Sequence, residues 1–211
     1  MSEKKKYDSI MFDMDGTLWD AVDSYCAVWN KTIADLGIDH APVTRQELLS
    51  NMGKPLGDII DTLVPECSGD SRFTESLAAS EVEMMPRLGG RLYPGVADTV
   101  SQLSKTHKLF MVSNCGSRGL PNFLRFTGLE PYFTGHLAYG DTGKGKDVNI
   151  KLVKERYNLS SPLYVGDIRA DMEAAHSAGV PFAWASYGFG KDVAGAEYTL
   201  RSITDLPGLI S

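Results

Sequence analysis

The sequence predicts an α/β fold, in which helices flank a parallel sheet and a helical segment is inserted after the first strand. Three observations support this class. A short apolar run at residues 10–12 ends abruptly in polar and turn residues. From residue 108 onward, strand-like runs alternate with helical stretches, as is typical of parallel sheets. Between residues 18 and 91, apolar side chains instead recur at helical spacing.

The second half of the chain supplies most of the predicted sheet. After the strand at 10–12, we predict strands at 108–113, 136–139, 163–165, 182–186 and 198–200, and helices at about 118–127, 148–157 and 170–178. Gly128 and Gly179 are expected to end two of these helices, because glycine readily adopts the left-handed C-terminal conformation. Asp147 is a candidate N-cap for the helix at 148–157. In sheets of this kind, ligands bind beyond the carboxyl ends of the strands.

The inserted segment contains four apolar stripes, which we interpret as packing faces of helices. Their residues are Val22, Tyr25, Trp29, Ile33 and Leu36; Leu48 and Leu49 after a Thr44–Glu47 capping-box pattern; Leu56, Ile59, Ile60 and Leu63; and Phe73, Leu77, Met84 and Leu88. The 211 residues suit one substantial core and one small extra domain. We therefore predict a core domain from 1–17 and 92–211 and an inserted four-helix domain from 18–91.

Composition excludes several classes of partner. A formal net charge of -6 argues against a nucleic-acid or anionic-membrane partner. No apolar run approaches the roughly 18 residues that a membrane span requires. The three cysteines (Cys26, Cys67 and Cys115) lack metal-ligand spacing, and reduced thiols in a cytoplasmic protein fit them best. Monomer and homodimer both remain open.

The most informative motif is the pair of carboxylates that follows the first strand. Asp13 and Asp15 are two residues apart, so in extended chain both point to the same side. Two neighbouring carboxylates repel each other, so such a pair is energetically unfavourable unless it binds a cation or a proton or takes part in a reaction. A solvated Asx turn is the alternative, since Asp-Gly is also a turn signal. Ser113 and Asp167 also lie at the ends of predicted strands, so Asp13, Asp15, Ser113 and Asp167 can line one crevice.

Taken together, these motifs resemble those of the haloacid dehalogenase-like (HAD) superfamily of phosphotransferases. The first motif matches residues 13–17, Asp-Met-Asp-Gly-Thr, and the second Ser113-Asn114; the fourth matches Gly166-Asp167 with Asp171. The resemblance implies a HAD-like Rossmannoid parallel-sheet core with an inserted four-helix cap domain. The loop at 51–56 is similar to the substrate-specificity loop of phosphoglycolate-phosphatase-like members.

The resemblance also implies roles. Asp13 would be the nucleophile, and Asp15 the acid and base. Mg2+ would be held by Asp13, the Asp15 carbonyl and Asp167, and Asp171 would bind it through water or orient Asp167. An oxygen-rich set without a Cys or His cluster suits this hard cation. Hydrogen bonds to phosphoryl oxygens would come from Thr17, Ser113 and Asn114.

Lysines complete the implied site. The third motif places a lysine near a helix start, and Lys146, three residues before Asn149, fits this pattern. Lys144 is the competitor, on a loop flanked by glycines. In the cap, Lys54, together with Arg45, is a candidate for binding a substrate carboxylate or second phosphate. The alternative for Lys54 is a solvated surface lysine.

The leading hypothesis is therefore a Mg2+-dependent phosphatase that hydrolyses small phosphorylated metabolites through an aspartyl phosphate. A phosphosugar isomerase of the β-phosphoglucomutase type is the alternative. A dehalogenase needs no second carboxylate, so Asp15 argues against it. A non-catalytic binding protein is disfavoured because the motif set is complete. The sequence does not name the physiological substrate.

Overall fold

A computed structural model describes residues 6–210. Its strands are β1 (Ser9–Phe12), β2 (Trp19–Asp20), β3 (Arg91–Leu92), β4 (Lys108–Ser113), β5 (Gly135–Ala138), β6 (Pro162–Gly166), β7 (Phe182–Ala185) and β8 (Tyr198–Leu200). Its helices are α1 (Val22–Asp35), α2 (Arg45–Leu49), α3 (Leu56–Leu63), α4 (Ser71–Leu88), α5 (Val96–Ser104), α6 (Gly119–Thr127), α7 (Tyr139–Thr142), α8 (Lys146–Arg156), α9 (Arg169–Ser177) and α10 (Leu206–Ile210).

The first compact unit comprises the chain up to Asp20 and from Leu92 onward. Its sheet has the order β5-β4-β1-β6-β7-β8, and every pairing is parallel. In the centre, Ile10 of β1 lies opposite Leu109 of β4 and Leu163 of β6. All four residues of β1 are buried. The predicted α/β fold with a parallel sheet is therefore confirmed.

Helices cover the sheet and exclude water from its faces. Side chains from β1, β4, β6 and β7 pack with those of α8 and α9 in one apolar cluster, represented by Met11, Phe110, Ile150, Tyr164 and Ala175. Burial of this apolar surface is the main stabilising term for such a layer. The residues that follow the strands are consequently attached to a rigid frame.

The second compact unit runs from Ala21 to Arg91 and contains α1 to α4. Helices α1 and α4 pack together, with Trp29 edge-on to Phe73 at 5.8 Å between ring centroids. The Thr44–Glu47 capping box is present at the start of α2. All four predicted stripes lie on helices, except that Leu36 is the C-cap residue just after α1. The predicted domain boundaries at 17/18 and 91/92 stay a prediction.

One predicted helix start is wrong. Helix α8 begins at Lys146 with Gly145 as its N-cap, so Asp147 lies inside the first turn rather than capping it. The Asn149 amide instead fixes the preceding loop: it donates to the Lys144 carbonyl at 3.0 Å and accepts from the Thr142 hydroxyl at 2.8 Å. This earlier start places Lys146 on the first turn of the helix.

In the range 6–210, none of the helices combines the length and the apolar character needed to cross a membrane.

Candidate active site

Asp13 and Lys146 form a buried ion pair at the carboxyl edge of the sheet. Asp13 directly follows β1, and its N–H donates to the Val165 carbonyl of β6 at 2.9 Å. Its Oδ2 lies 2.9 Å from the Nζ of Lys146. Each of the two residues is only 5% exposed. A buried ammonium is tolerated when carboxylates surround it, and the sheet edge provides them.

Asp171 binds the same ammonium and accepts the N–H of Ile168, the N-cap residue of helix α9. Its Oδ1 accepts from Lys146 Nζ at 2.5 Å, while its Oδ2 accepts the N–H groups of Asp167 at 3.0 Å and Ile168 at 3.2 Å. Both carboxylate oxygens therefore have protein partners. Asp171 links the start of α9 to the start of α8 and fixes the backbone of Asp167.

Asp167 is held from three directions. Its Oδ1 accepts from the Thr17 hydroxyl at 3.3 Å, and its Oδ2 accepts the Phe189 N–H at 2.8 Å. Its carbonyl oxygen accepts the indole N–H of Trp184 at 2.9 Å. The side chain is 1% exposed. The hydroxyl of Thr17, predicted to contact phosphate, donates to this carboxylate.

Two glycines, Gly16 and Gly188, allow the backbone to pass close to the Asp167 side chain. Gly16 has a positive φ of 77°, and a Cβ there would lie 2.1 Å from Asp167 Oδ2. At Gly188, a Cβ would lie 2.2 Å from the Gly16 carbonyl oxygen. Any larger residue at either position would displace the Asp167 carboxylate or the backbone of Gly16. The sequence analysis assigned no role to the loop 186–190, although its two glycines, three and five residues after the end of β7, could have indicated a close backbone approach.

The charges of this cluster favour a divalent cation. Carboxylate oxygens of Asp13, Asp167 and Asp171 lie within 4.8 Å of one another, and Lys146 would offset only one of the three charges that they carry when all are ionised. Asp13 Oδ1 is buried without a hydrogen-bond partner among residues 6–210. A hard cation that prefers oxygen ligands fits this arrangement.

The pKa values in the cluster reflect burial first and neighbouring charge second. Burial raises the pKa of the Asp13 carboxyl, although Lys146 opposes this shift. Burial, followed by the charges of Asp171 and Asp13, raises the pKa of Asp167 well above its usual range. Burial by itself would lower the pKa of Lys146, but the two carboxylates together hold it well above the ordinary value.

The remaining first- and second-motif residues lie at the same sheet edge. Asp15 is partly buried, and its Oδ1 accepts the indole N–H of Trp19 at 2.9 Å. Ser113 is the last residue of β4, the neighbour of β1, and is 4% exposed. Asn114 follows it. The register of the parallel strands thus brings these side chains to the edge where Asp13 lies.

The other predicted lysines have different surroundings. Lys144 is exposed on the loop before α8. Lys54 belongs to the second unit, where it is exposed and donates to Asn51 Oδ1 at 2.8 Å. Asn51 is buried and donates to the Glu47 carbonyl. Arg45 forms an exposed ion pair with Asp23 at 3.1 Å.

Buried carboxylates surround a lysine at the carboxyl edge of a parallel sheet, where the sequence motifs predicted a phosphotransfer site. The model of the haloacid dehalogenase-like hydrolase family matches residues 10–185, and the chain belongs to this family. It is a HAD-like phosphatase, a phosphoric monoester hydrolase. Phosphatases of this family generally use a divalent metal ion, and the acidic cluster fits one.

Curated relatives and solved structures agree with this class. The chain is 26% identical to a phosphoglycolate phosphatase of Synechococcus elongatus over 183 residues, covering 86% of this chain and 84% of the relative. It is 28% identical to a phosphoglycolate phosphatase of Pseudomonas syringae over 215 residues, covering 95% of this chain and 78% of the relative. The structure of a predicted phosphoglycolate phosphatase from Haemophilus somnus has the same fold, with a TM-score of 0.86 and 20% identity. The match covers 98% of this chain and 99% of that chain.

Proposed function

We propose that this phosphatase uses Mg2+ and that its substrates are small phosphorylated acids such as 2-phosphoglycolate. The ion-paired cluster of Asp13, Lys146 and Asp171 beside Asp167 carries the chemical part of the proposal. The names of the curated relatives support the substrate class. Lys54 is the proposed contact for the substrate carboxylate.

In the first half-reaction, a carboxylate oxygen of Asp13 attacks the phosphorus, and the bond from phosphorus to the ester oxygen breaks. Asp15 transfers its proton to the departing alkoxide. In the second half-reaction, water attacks the phosphorus of the aspartyl phosphate while Asp15 takes the proton back. The phosphorus–Asp13 bond breaks, which regenerates the carboxylate and releases inorganic phosphate.

The remaining residues position charge and donors. A carboxylate and a phosphate dianion repel each other, so the site must supply positive charge. Lys146 supplies one charge next to Asp13, and this contact supports Lys146 rather than Lys144 as the catalytic lysine. Ser113 and Asn114 are proposed to donate to phosphoryl oxygens, with Thr17 joining them or fixing Asp167.

Asp13, the Asp15 carbonyl and Asp167 would hold Mg2+, which would supply positive charge to stabilise the transferring phosphoryl group. Asp171 is proposed to act by orientation. Its two oxygens bind Lys146 and the backbone N–H groups of residues 167 and 168, which supports this role over direct ligation. Of the two alternatives that the sequence left open for Asp171, binding the metal through water and orienting Asp167, these contacts favour the second.

The predicted setting of the enzyme completes the proposal. A cytoplasmic location fits its three free cysteines. The net charge of -6 supports a role without nucleic acid or anionic membranes as partners. The protein is proposed to act as a monomer or a homodimer.

A phosphate-release assay tests the proposal. With Mg2+, the protein should release inorganic phosphate from 2-phosphoglycolate and 4-nitrophenyl phosphate, and EDTA should abolish both activities reversibly. Full activity in chelator would exclude the metal. Interconversion of glucose 1-phosphate and glucose 6-phosphate with little phosphate release would favour the mutase instead. Turnover of 4-nitrophenyl phosphate without any turnover of phosphorylated acids would reject the substrate class alone.

A further inference from the structure

Trp19 is buried directly against one of the two first-motif carboxylates. Its indole N–H donates to Asp15 Oδ1 at 2.9 Å, and the residue is 2% exposed. No local sequence pattern distinguishes this tryptophan from other apolar residues. The two residues are four positions apart, so a specific turn of the backbone must bring them together.

That turn is closed by its own hydrogen bonds. The Met14 carbonyl accepts the N–H groups of Leu18 at 2.9 Å and Trp19 at 3.2 Å, and the Gly16 N–H donates to the Trp19 carbonyl at 2.9 Å. Gly16 adopts a positive φ, which glycine reaches without steric cost. The turn folds the indole back towards the Asp15 carboxylate.

Aromatic side chains of α6 hold the indole in this orientation. Phe123 packs edge-on at 4.9 Å between ring centroids, and Phe126 lies at 6.3 Å. A buried indole N–H is costly without an acceptor, and Asp15 provides one. Rotation of the ring would lose both the aromatic packing and this hydrogen bond. The direction of Asp15 Oδ1 is therefore fixed by a rigid side chain.

We propose that Trp19 is a positioning residue for Asp15, setting the plane of its carboxylate so that Oδ2 exchanges the proton with the leaving alcohol and with water. The proposal rests on the proposed acid–base role of Asp15. Proton transfer depends steeply on geometry, and a displacement of about 1 Å can cost about 100-fold in rate. Trp19 orients the Asp15 carboxylate through this hydrogen bond and does not itself contact the substrate.

This role predicts a dependence on the leaving group. Phenolate is a basic leaving group that needs a proton as it departs, whereas 4-nitrophenolate departs readily without one. Phenyl phosphate and 4-nitrophenyl phosphate otherwise present similar rings to the enzyme. Loss of Asp15 positioning should therefore affect kcat/KM for phenyl phosphate far more than for 4-nitrophenyl phosphate.

The experiment compares Trp19→Phe with Trp29→Phe, both with Mg2+. Trp29 is a matched control, since it is 3% exposed and also packs edge-on to a phenylalanine, Phe73. We expect Trp19→Phe to lose at least about tenfold in kcat/KM on phenyl phosphate and less than about threefold on 4-nitrophenyl phosphate. Trp29→Phe should leave the ratio between the two esters unchanged.

Equal losses on both esters, or no loss on either, would overturn the proposal, because a purely structural role acts on both alike. If the wild-type enzyme hydrolyses neither ester, the proposed function itself fails and the role of Trp19 fails with it. If thermal melting shows that Trp19→Phe is unfolded, 3-benzothienylalanine at position 19 replaces the N–H by sulfur in nearly the same shape. A wild-type ester ratio in that variant would also overturn the proposal.

Discussion

The two lysines implicated in this enzyme have opposite surroundings. Lys146, in the first compact unit, is 5% exposed and binds two carboxylates, at 2.9 Å to Asp13 and 2.5 Å to Asp171. Lys54, in the second unit, is exposed and donates to the side chain of Asn51, three residues away. A buried ammonium must be paired by the fold, whereas an exposed one carries no such requirement.

The difference shows how this protein separates two tasks. The residues proposed for chemistry are fixed by long-range contacts within the first unit, so their geometry exists before substrate arrives. The residue proposed for substrate recognition is held by a local hydrogen bond, and its charge remains available to a ligand. Substitutions should therefore have large effects on turnover in the first unit and selective effects on KM in the second.

The most severe test of the buried cluster is Asp13→Asn. It removes the proposed nucleophile while keeping the shape of the side chain, so we expect turnover of 4-nitrophenyl phosphate to fall by at least about 10⁴-fold. No acid-labile phosphoenzyme should form after rapid quenching. Appreciable activity, or phosphate trapped on another residue, would contradict the assignment of Asp13.

Replacing the buried lysine should affect both activity and stability. Lys146→Met should reduce kcat about 10²–10³-fold, because a charge that stabilises the transition state is lost. It should also reduce the free energy of unfolding by about 3 kcal/mol, since two buried carboxylates lose their common partner. Lys144→Met, on the exposed loop, is the matched control and should change neither quantity measurably. The reverse pattern would make Lys144 the catalytic lysine.

The loop after β7 should matter through Asp167. In Gly188→Ala, the added methyl group would overlap the Gly16 carbonyl and the Asp167 side chain. We expect kcat/KM to fall about 10–100-fold and the Mg2+ concentration for half-maximal activity to rise. Gly208→Ala is the control, because no atom lies within 4 Å of a Cβ placed there. Unchanged Mg2+ dependence in Gly188→Ala would contradict the proposed support of the metal site.

The raised pKa of Asp167 predicts the pH dependence of stability in EDTA. The folded protein retains a proton on this carboxyl that the unfolded chain has already released, so the contribution of Asp167 to stability decreases as pH rises above the ordinary carboxyl range. The melting temperature of Asp167→Asn, relative to wild type, should increase by several degrees between pH 5 and pH 8. Mg2+ should stabilise the wild type at pH 8 and the variant less. If the melting temperature of Asp167→Asn minus that of the wild type instead decreased as the pH rose, the raised pKa of Asp167 would be contradicted.

The smallest effect is expected in the second unit. Lys54→Ala should raise KM for 2-phosphoglycolate about tenfold, because one charge contact to the substrate carboxylate is lost, and leave 4-nitrophenyl phosphate turnover within about twofold. Lys31→Ala, which removes an exposed lysine paired with Asp35, should change neither value. An equal effect on both substrates would contradict a selective contact between Lys54 and the substrate carboxylate.

The sequence by itself determined the fold class, the strands of the six-stranded sheet and the helices α1 to α4, α6, α8 and α9, but it did not predict β2, β3, α5, α7 or α10. Apolar alternation, helical spacing and turn residues are properties of segments of about ten residues, so the strand at Lys108–Ser113, the helix ended by Gly128 and the capping box at Thr44 could all be predicted. The carboxylates of the first and fourth motifs were equally visible, because their spacing and position after apolar runs are local features. Boundaries were less accurate: Asp147 was expected to cap α8, whose N-cap is Gly145, and Tyr139 was expected in a strand but begins α7.

Only the tertiary structure decided which side chains meet. The contact of Lys146 with Asp13 and Asp171, the attachment of Asp167 to the loop at Phe189, and the aromatic packing that holds Trp19 against Asp15 all join residues from separate elements. No local pattern encodes such contacts, since they depend on strand order and on the register of the parallel sheet. Close packing then fixes them: the space beside Asp167 admits a glycine hydrogen but no methyl group at position 188, a constraint that exists only once the chain is folded.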